Sequence, residues 1–274
     1  MVVFPNAKIN LGLNILSRRP DGYHNISSLL YPVGWTDILE IVPAKGKKTS
    51  LTVSGRHVDC PPESNLVMKA YRALCESESL PPVDIYLRKI IPDGAGLGGG
   101  SADAAFTLLA LNTLFSLGLS KDHLAEIAGR IGADCPFFIY NTPMLAEGTG
   151  TTLSHLDVPK VKGISLLIIK PDIHISTARA YSGVTPGQPK VPITEIIADD
   201  IELWKGNLVN DFEESLKCDY PEFEEIKHSL YDHGAIYASL SGSGSAVYGM
   251  FRDVKMAENA RKKFEGMSTF ICQL

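Results

Sequence analysis

Ile9, Leu11, Leu13 and Ile15 alternate with polar or small residues, the period of two that sets one row of side chains on one face of a strand. Residues 18–22 then predict a turn, with Pro20 presetting φ and Gly22 free to take a positive φ. Further strands are expected over 26–33 and 38–42, and residues 45–48 as a solvated hairpin tip. Ser64 and Asn65 can cap a helix reaching Cys75, and Val83, Ile85 and Leu87 alternate as another strand. After a glycine-rich segment, one helix is expected from Ser101. A second is expected from Ser120, with Leu124, Ile127, Ala128 and Ile131 on one face and Gly132 ending it. Residues 141–163 lack a long apolar run and predict a loop-rich passage between two lobes. Beyond it the pattern predicts a buried strand at 164–169, helices over 193–204, 207–217 and 221–232, and a closing series of strand 236–240, strand 246–251, helix 254–264 and strand 269–272. Strands and helices mix without strict alternation, which favours an α+β fold over a doubly wound sheet.

Composition narrows the class. The 274 residues are 45% hydrophobic and 21% charged, which excludes disorder and small disulfide scaffolds. The 26 basic and 31 acidic residues give a net charge of -5, with neither half basic, so a nucleic-acid partner is not expected. The uncharged stretch at residues 104–120 carries five Thr, Asn or Ser side chains and is too short to span a membrane, so no membrane partner is expected. The start of the chain shows no signal peptide, and five scattered cysteines form no C-x-x-C pair. A cytoplasmic location is the expectation. Nothing in the sequence speaks to the oligomeric state.

Residues 92–105, PDGAGLGGGSADAA, carry the chemistry. Gly94, Gly96, Gly98, Gly99 and Gly100 leave the backbone bare, so consecutive N–H groups can converge on an anion. Ser101 is expected to cap a helix whose positive end points to the same place, which makes the loop a phosphate cradle. Gly94 to Gly99 fits G-x-G-x-x-G, yet no acid lies between Asp103 and Asp122, which counts against a dinucleotide fold and a dehydrogenase. No G-K-[ST] exists, so a Walker loop is absent.

This segment resembles the second motif of the GHMP kinases, and its triple glycine resembles the branch that phosphorylates 4-diphosphocytidyl-2-C-methyl-D-erythritol. Residues 6–13 (NAKINLGL), the run Asp21-Gly-Tyr23-His24, residues 132–138 (GADCPFF) and residues 241–245 (SGSGS) resemble further motifs of that branch, in its order and across nearly the whole chain. The resemblance implies a two-lobed α+β fold: a ribosomal protein S5-like amino-terminal lobe that binds ATP over 1–155, and a ferredoxin-like carboxy-terminal lobe over 156–274. It implies ATP and magnesium as cofactors, a small-molecule acceptor phosphorylated on its 2-hydroxyl, and no metal ligand that can be named.

Read from spacing alone, Asp134 is a helix cap and Lys8 a solvated lysine; the resemblance instead makes Asp134 the base and Lys8 its electrostatic partner. It puts ATP against Asn65, Lys89, Pro92, Gly94, Ala95, Gly96, Leu97, Gly98, Gly99, Gly100, Ser101 and Ala102. The acceptor falls to Asn10, Tyr23, His24, Asp134 and Tyr181, with Tyr23 and His24 flanking the cytosine. Taken without the resemblance, Lys89 reads equally as a solvated lysine at a strand end, and Tyr181 equally as core packing. Three positions depart from the family pattern: Ala102 lacks a common hydroxyl, Ser243 stands where Thr is usual, and Thr151 where Glu is frequent. The alternatives are another small-molecule GHMP kinase, or a non-catalytic nucleotide-binding relative.

Overall fold

The computed structural model describes all 274 residues. The chain opens with β1 (Val2–Val3), β2 (Asn6–Arg18), β3 (His24–Thr36), β4 (Ile38–Pro43) and β5 (Ser50–Gly55), then α1 (Leu66–Cys75) and β6 (Val83–Lys89). Three helices follow, α2 (Gly99–Leu114), α3 (Lys121–Ile131) and α4 (Cys135–Tyr140), before β7 (Met144–Gly148), β8 (Thr152–His155) and β9 (Ser165–Lys170). Next come α5 (Thr177–Ser182), α6 (Ile193–Ala198), α7 (Asp211–Leu216) and α8 (Glu222–Asp232). The chain closes with β10 (Tyr237–Leu240), β11 (Val247–Phe251), α9 (Val254–Arg261) and β12 (Ser268–Gln273). These form two compact units, neither of them continuous in sequence: Met1–Ala7 with Trp35–Asp93 and Gly98–Thr142, and Lys8–Gly34 with Gly94–Leu97 and Pro143–Leu274.

The first unit holds the sheet β1-β4-β6-β5, in which β5 runs parallel to β6 and the other pairs are antiparallel. Parallel neighbours cannot be joined by a tight turn; α1 supplies the crossover between them. Along β6, Val83, Ile85 and Leu87 are buried while Tyr86 and Arg88 are exposed, and the same period of two carries Lys89 into the interior. Helix α2 buries Ala102, Asp103, Ala104, Ala105, Thr107, Leu108, Ala110 and Leu111. Its small residues let neighbours approach on several sides, the pattern of a central helix rather than a surface one.

The second unit holds two four-stranded sheets, β2-β3-β7-β8 and β10-β11-β9-β12. Every pair in the latter is antiparallel. Counting strands from β9, its order is 4-1-3-2, the split βαβ arrangement of ferredoxin-like folds. Its core sets Leu167, Ile169, Val247 and Phe251 of the sheet against Phe223, Ile226 and Leu230 of α8 and Ala257 and Ala260 of α9, together with Leu13 and Ile15 of β2.

Three expectations need correction. Residues 45–48 are a bend, but not a hairpin tip, because the strands they join lie on either side of β6. The passage 141–163 contains the β7–β8 hairpin: Met144 and Ala146 bury one face, and Gly148 and Gly150 take positive φ at its tip. The stretches 193–204 and 207–217 contain shorter helices. Asp199 leaves the first in an extended conformation, and the second starts only after Asn210, whose Oδ1 accepts the Phe212 N–H at 3.0 Å.

Asn210 is 2% exposed, and its Nδ2 donates to the carbonyls of Leu240 and Gly242, each at 2.9 Å. Asn210→Ala removes a helix cap and strands two carbonyls, and is expected to cost about 2–3 kcal/mol in urea unfolding. A loss below about 0.5 kcal/mol would show that these bonds do not hold the segment together.

Candidate active site

In the second unit, residues 94–97 are held by backbone and hydroxyl groups. Ser241 Oγ donates to the Gly96 carbonyl at 2.9 Å, the Ala246 N–H to the Ala95 carbonyl at 3.1 Å, and the Lys8 N–H to the Leu97 carbonyl at 2.9 Å. Gly96 has φ +70, and a Cβ on it would lie 2.0 Å from the Ser241 carbonyl oxygen. The 241–245 segment therefore packs directly on the loop, and only glycine fits where it does so.

In the first unit, the helix begins two residues before the expected Ser101. Gly98 is the N-cap residue of α2, left-handed at φ +70, and no side chain caps the helix. Ser101 is its third residue. The amides of the first turn have no acceptor inside the helix, so they and the positive end of α2 are available to a phosphate. Cys135 is buried nearby; burial pushes its thiol up to about 11 against an opposing hydrogen bond from Ser101. It stays a neutral thiol and not a nucleophile.

Lys8 lies on β2 and is 4% exposed, so the solvated reading fails. Its Nζ donates to Asn10 Oδ1 at 2.6 Å, Asn10 Nδ2 donates to Ser28 Oγ at 2.8 Å, and Ser28 donates to the Gly12 carbonyl at 2.7 Å. Alternation along β2 sets Lys8 and Asn10 on one face. A Cβ on Gly242 would lie 3.4 Å from Asn10 Oδ1 and 3.3 Å from the Gly96 Cα, so lysine, asparagine and loop converge. Asp134 stands at the N-cap position of α4, yet its carboxylate makes no capping bond. The capping reading fails here too.

The turn at 18–22 leaves Tyr23 68% exposed, its N–H held by Asp21 at 3.1 Å. His24 stacks on Tyr181 with ring centroids 4.7 Å apart, and Tyr181 packs edge-on against Phe212 at 4.8 Å. Tyr181 thus serves the core and the neighbourhood of His24 at once. Asn65 accepts the Val67 N–H at 3.0 Å and caps α1.

Lys89 is not solvated: it is 5% exposed and ion-paired to Asp37 and, at 2.6 Å, to Asp103. Burial raises the Asp103 carboxyl to about 8, Lys89 opposing and Asp37 adding to the rise. The sequence reading missed both aspartates. Their signals were faint: Asp37 interrupts an apolar run between two strands, and Asp103 is the one charge in an otherwise uncharged helix.

Family models match residues 65–142 as the GHMP kinases N terminal domain and 193–267 as GHMP kinases C terminal. A 4-diphosphocytidyl-2-C-methyl-D-erythritol kinase of Parabacteroides distasonis is 51% identical over 251 residues, covering 92% of each chain. The chain belongs to that kinase family, within the GHMP kinases. The Bacteroides fragilis kinase of the same name is 51% identical over 253 residues, again 92% of each chain. A crystal structure of 4-(cytidine 5'-diphospho)-2C-methyl-D-erythritol kinase superposes with a TM-score of 0.84 at 30% identity, over 99% of this chain and 98% of the other. The mevalonate kinase of Methanococcus jannaschii shares the fold, with a TM-score of 0.77 at 15% identity over 100% of this chain and 98% of that one.

For this kinase the loop geometry makes a paired prediction. Gly96→Ala forces an unfavourable φ and a clash with backbone, and is expected to lower kcat/KM for ATP at least about 100-fold. At Gly100 a Cβ would meet only Leu66 Cδ1, at 3.6 Å. Gly100→Ala should stay within about threefold in the same assay; equal losses at both sites would contradict the packing described.

Proposed function

We infer that the chain transfers the γ-phosphoryl group of ATP to the 2-hydroxyl of 4-diphosphocytidyl-2-C-methyl-D-erythritol, a step of non-mevalonate isoprenoid synthesis. The observation that carries this is the 51% identity to kinases of that name over 92% of the chain. ATP is read as lying along Gly94–Ser101 and Ala102, with Pro92 and Lys89 at the entering stem and Asn65 toward the base. A lobe boundary near residue 155 is retained as the division of labour.

Phosphoryl transfer leaves a protein mostly positioning and electrostatics to supply. In this reading Asp134, free of a capping role, accepts the proton of the attacking hydroxyl. Lys8, its charge buried and its Nζ aimed by Asn10, stabilises negative charge as it develops on the oxygens. Asn10 orients that ammonium, and Ser28 orients Asn10. Tyr23 offers an open ring face for a base, worth ~1–3 kcal/mol of stacking. With one face of its ring covered by Tyr181, His24 is left to present its nitrogens to the polar edge of cytosine.

The bare amides of α2 and the cradle at Gly96 suit a polyphosphate. Magnesium would neutralise phosphate charge. In this reading the ion travels on the nucleotide's phosphates. No helix is long and apolar enough to cross a membrane. Five free cysteines favour a reducing cytoplasm.

The decisive measurement is ADP release with MgATP in the presence of the cytidylyl acceptor, galactose, homoserine or mevalonate. Stimulation by the cytidylyl acceptor alone is expected; stimulation by another alcohol alone would discard the cytosine pocket. Asp134→Ala should lower kcat at least about 1000-fold while ATP still binds, and near-normal turnover would remove it as the base. Tyr23→Ala should raise the acceptor KM about 10-fold with the KM for ATP unchanged. A change confined to ATP would reassign that pocket.

A further inference from the structure

Of the buried ionisable groups of the first unit, only Lys89 enters the reading above, at the stem of the phosphate loop. Asp37, in the link between β3 and β4, is fully buried, and Lys89 and Asp103 are nearly so. Lys89 Nζ donates to both carboxylates. Asp37 Oδ1 also accepts the N–H of Ile90 and, at 2.9 Å, that of Ile91, the two residues immediately before Pro92. On the other side, a Cβ on Gly99 would lie 3.4 Å from Lys89 Nζ, so the ammonium rests against the first residue of α2. Asp103 is one turn further along the same helix. Three side chains therefore tie the stem that enters the phosphate loop to the stem that leaves it.

We propose that Asp37, Lys89 and Asp103 act as a buried polar clamp across the two stems of the phosphate loop, and that this clamp sets the affinity for the nucleoside triphosphate. The proposal rests on reading that loop as the ATP site. Stability alone gives no reason for the cluster, because apolar side chains of similar volume commonly do as well or better in a core. The arrangement also leaves Asp103 Oδ1 buried without a partner, a cost that needs a return elsewhere. Fixed stems supply that return. Amides already aimed at a polyphosphate lose less freedom when it binds. Asp37 and Asp103 are positioning residues, acting on the nucleotide only through Lys89 and the backbone.

The test measures Kd for a non-hydrolysable ATP analogue by calorimetry, together with kcat and both KM values, for three variants. Asp103→Ala is expected to weaken the analogue and raise the KM for ATP at least about 10-fold, with kcat within about threefold and the acceptor KM within about twofold. Asp103→Asn should restore most of the affinity, since its amide oxygen can face Lys89 in place of the carboxylate. Should Asp103→Ala fail to fold, Asp37→Asn answers the same question. Its oxygen is needed by the Ile90 and Ile91 amides, so its NH2 must face the ammonium, and a similar loss of nucleotide affinity is expected. ATP affinity within about twofold of wild type in either folded variant, or an acceptor KM rising in step with that for ATP, would overturn the clamp. Failure of the wild-type chain to bind the analogue would sink the phosphate-loop reading itself, whereas binding without a defect in the variants sinks the clamp alone.

Discussion

In the proposed function, backbone amides bind a polyphosphate, and they do so only if they are bare, aligned and held still. Bare amides demand glycine, because any Cβ at Gly96 would strike the Ser241 carbonyl. Alignment comes from α2, which starts at Gly99 behind a left-handed Gly98 and leaves its first turn uncapped. Stillness has two sources. In the second unit Ser241, Ala246 and Lys8 hold residues 94–97 through the carbonyls of Gly96, Ala95 and Leu97. In the first unit the stems are joined through Lys89.

The elements that carry chemistry are placed by ordinary packing rules. Lys8 and Asn10 share a face because β2 has a period of two, and Lys89 is buried because it continues the buried row of Val83, Ile85 and Leu87. A polar residue inserted into an apolar register is costly unless neighbours pair it. Each such residue here has been given its partners: Asn10 for Lys8, two aspartates for Lys89. The aromatic group follows a different logic. Tyr181 is anchored by Phe212 and in turn supports His24, while Tyr23 stays exposed at the end of its turn. A rigid ring beside an open one suits recognition of a flat heterocycle.

Much of this was legible in the sequence because it depends on local rules. The alternation of Ile9 to Ile15, the caps at Asn65 and Ser120, and the α8 and α9 patterns all emerged as read. Ordered motifs announced the kinase family. Local rules failed where a partner distant in sequence decides the conformation. Ser101 looked like a cap, but the chain turns earlier at Gly98. The β7–β8 hairpin looked like a loop because its strands are short and weakly patterned, and they form only through pairing with β3.

Residue types and their spacing were therefore enough to specify α+β topology and a family of chemistry, since both are written in contiguous stretches. Only the tertiary structure decided the fates of individual polar residues. Whether Lys89 meets water or a carboxylate depends on a group far away in sequence, Asp37, at a separation of 52. Burial strengthens such pairings by removing competing water, and burial is a property of the folded whole rather than of any segment.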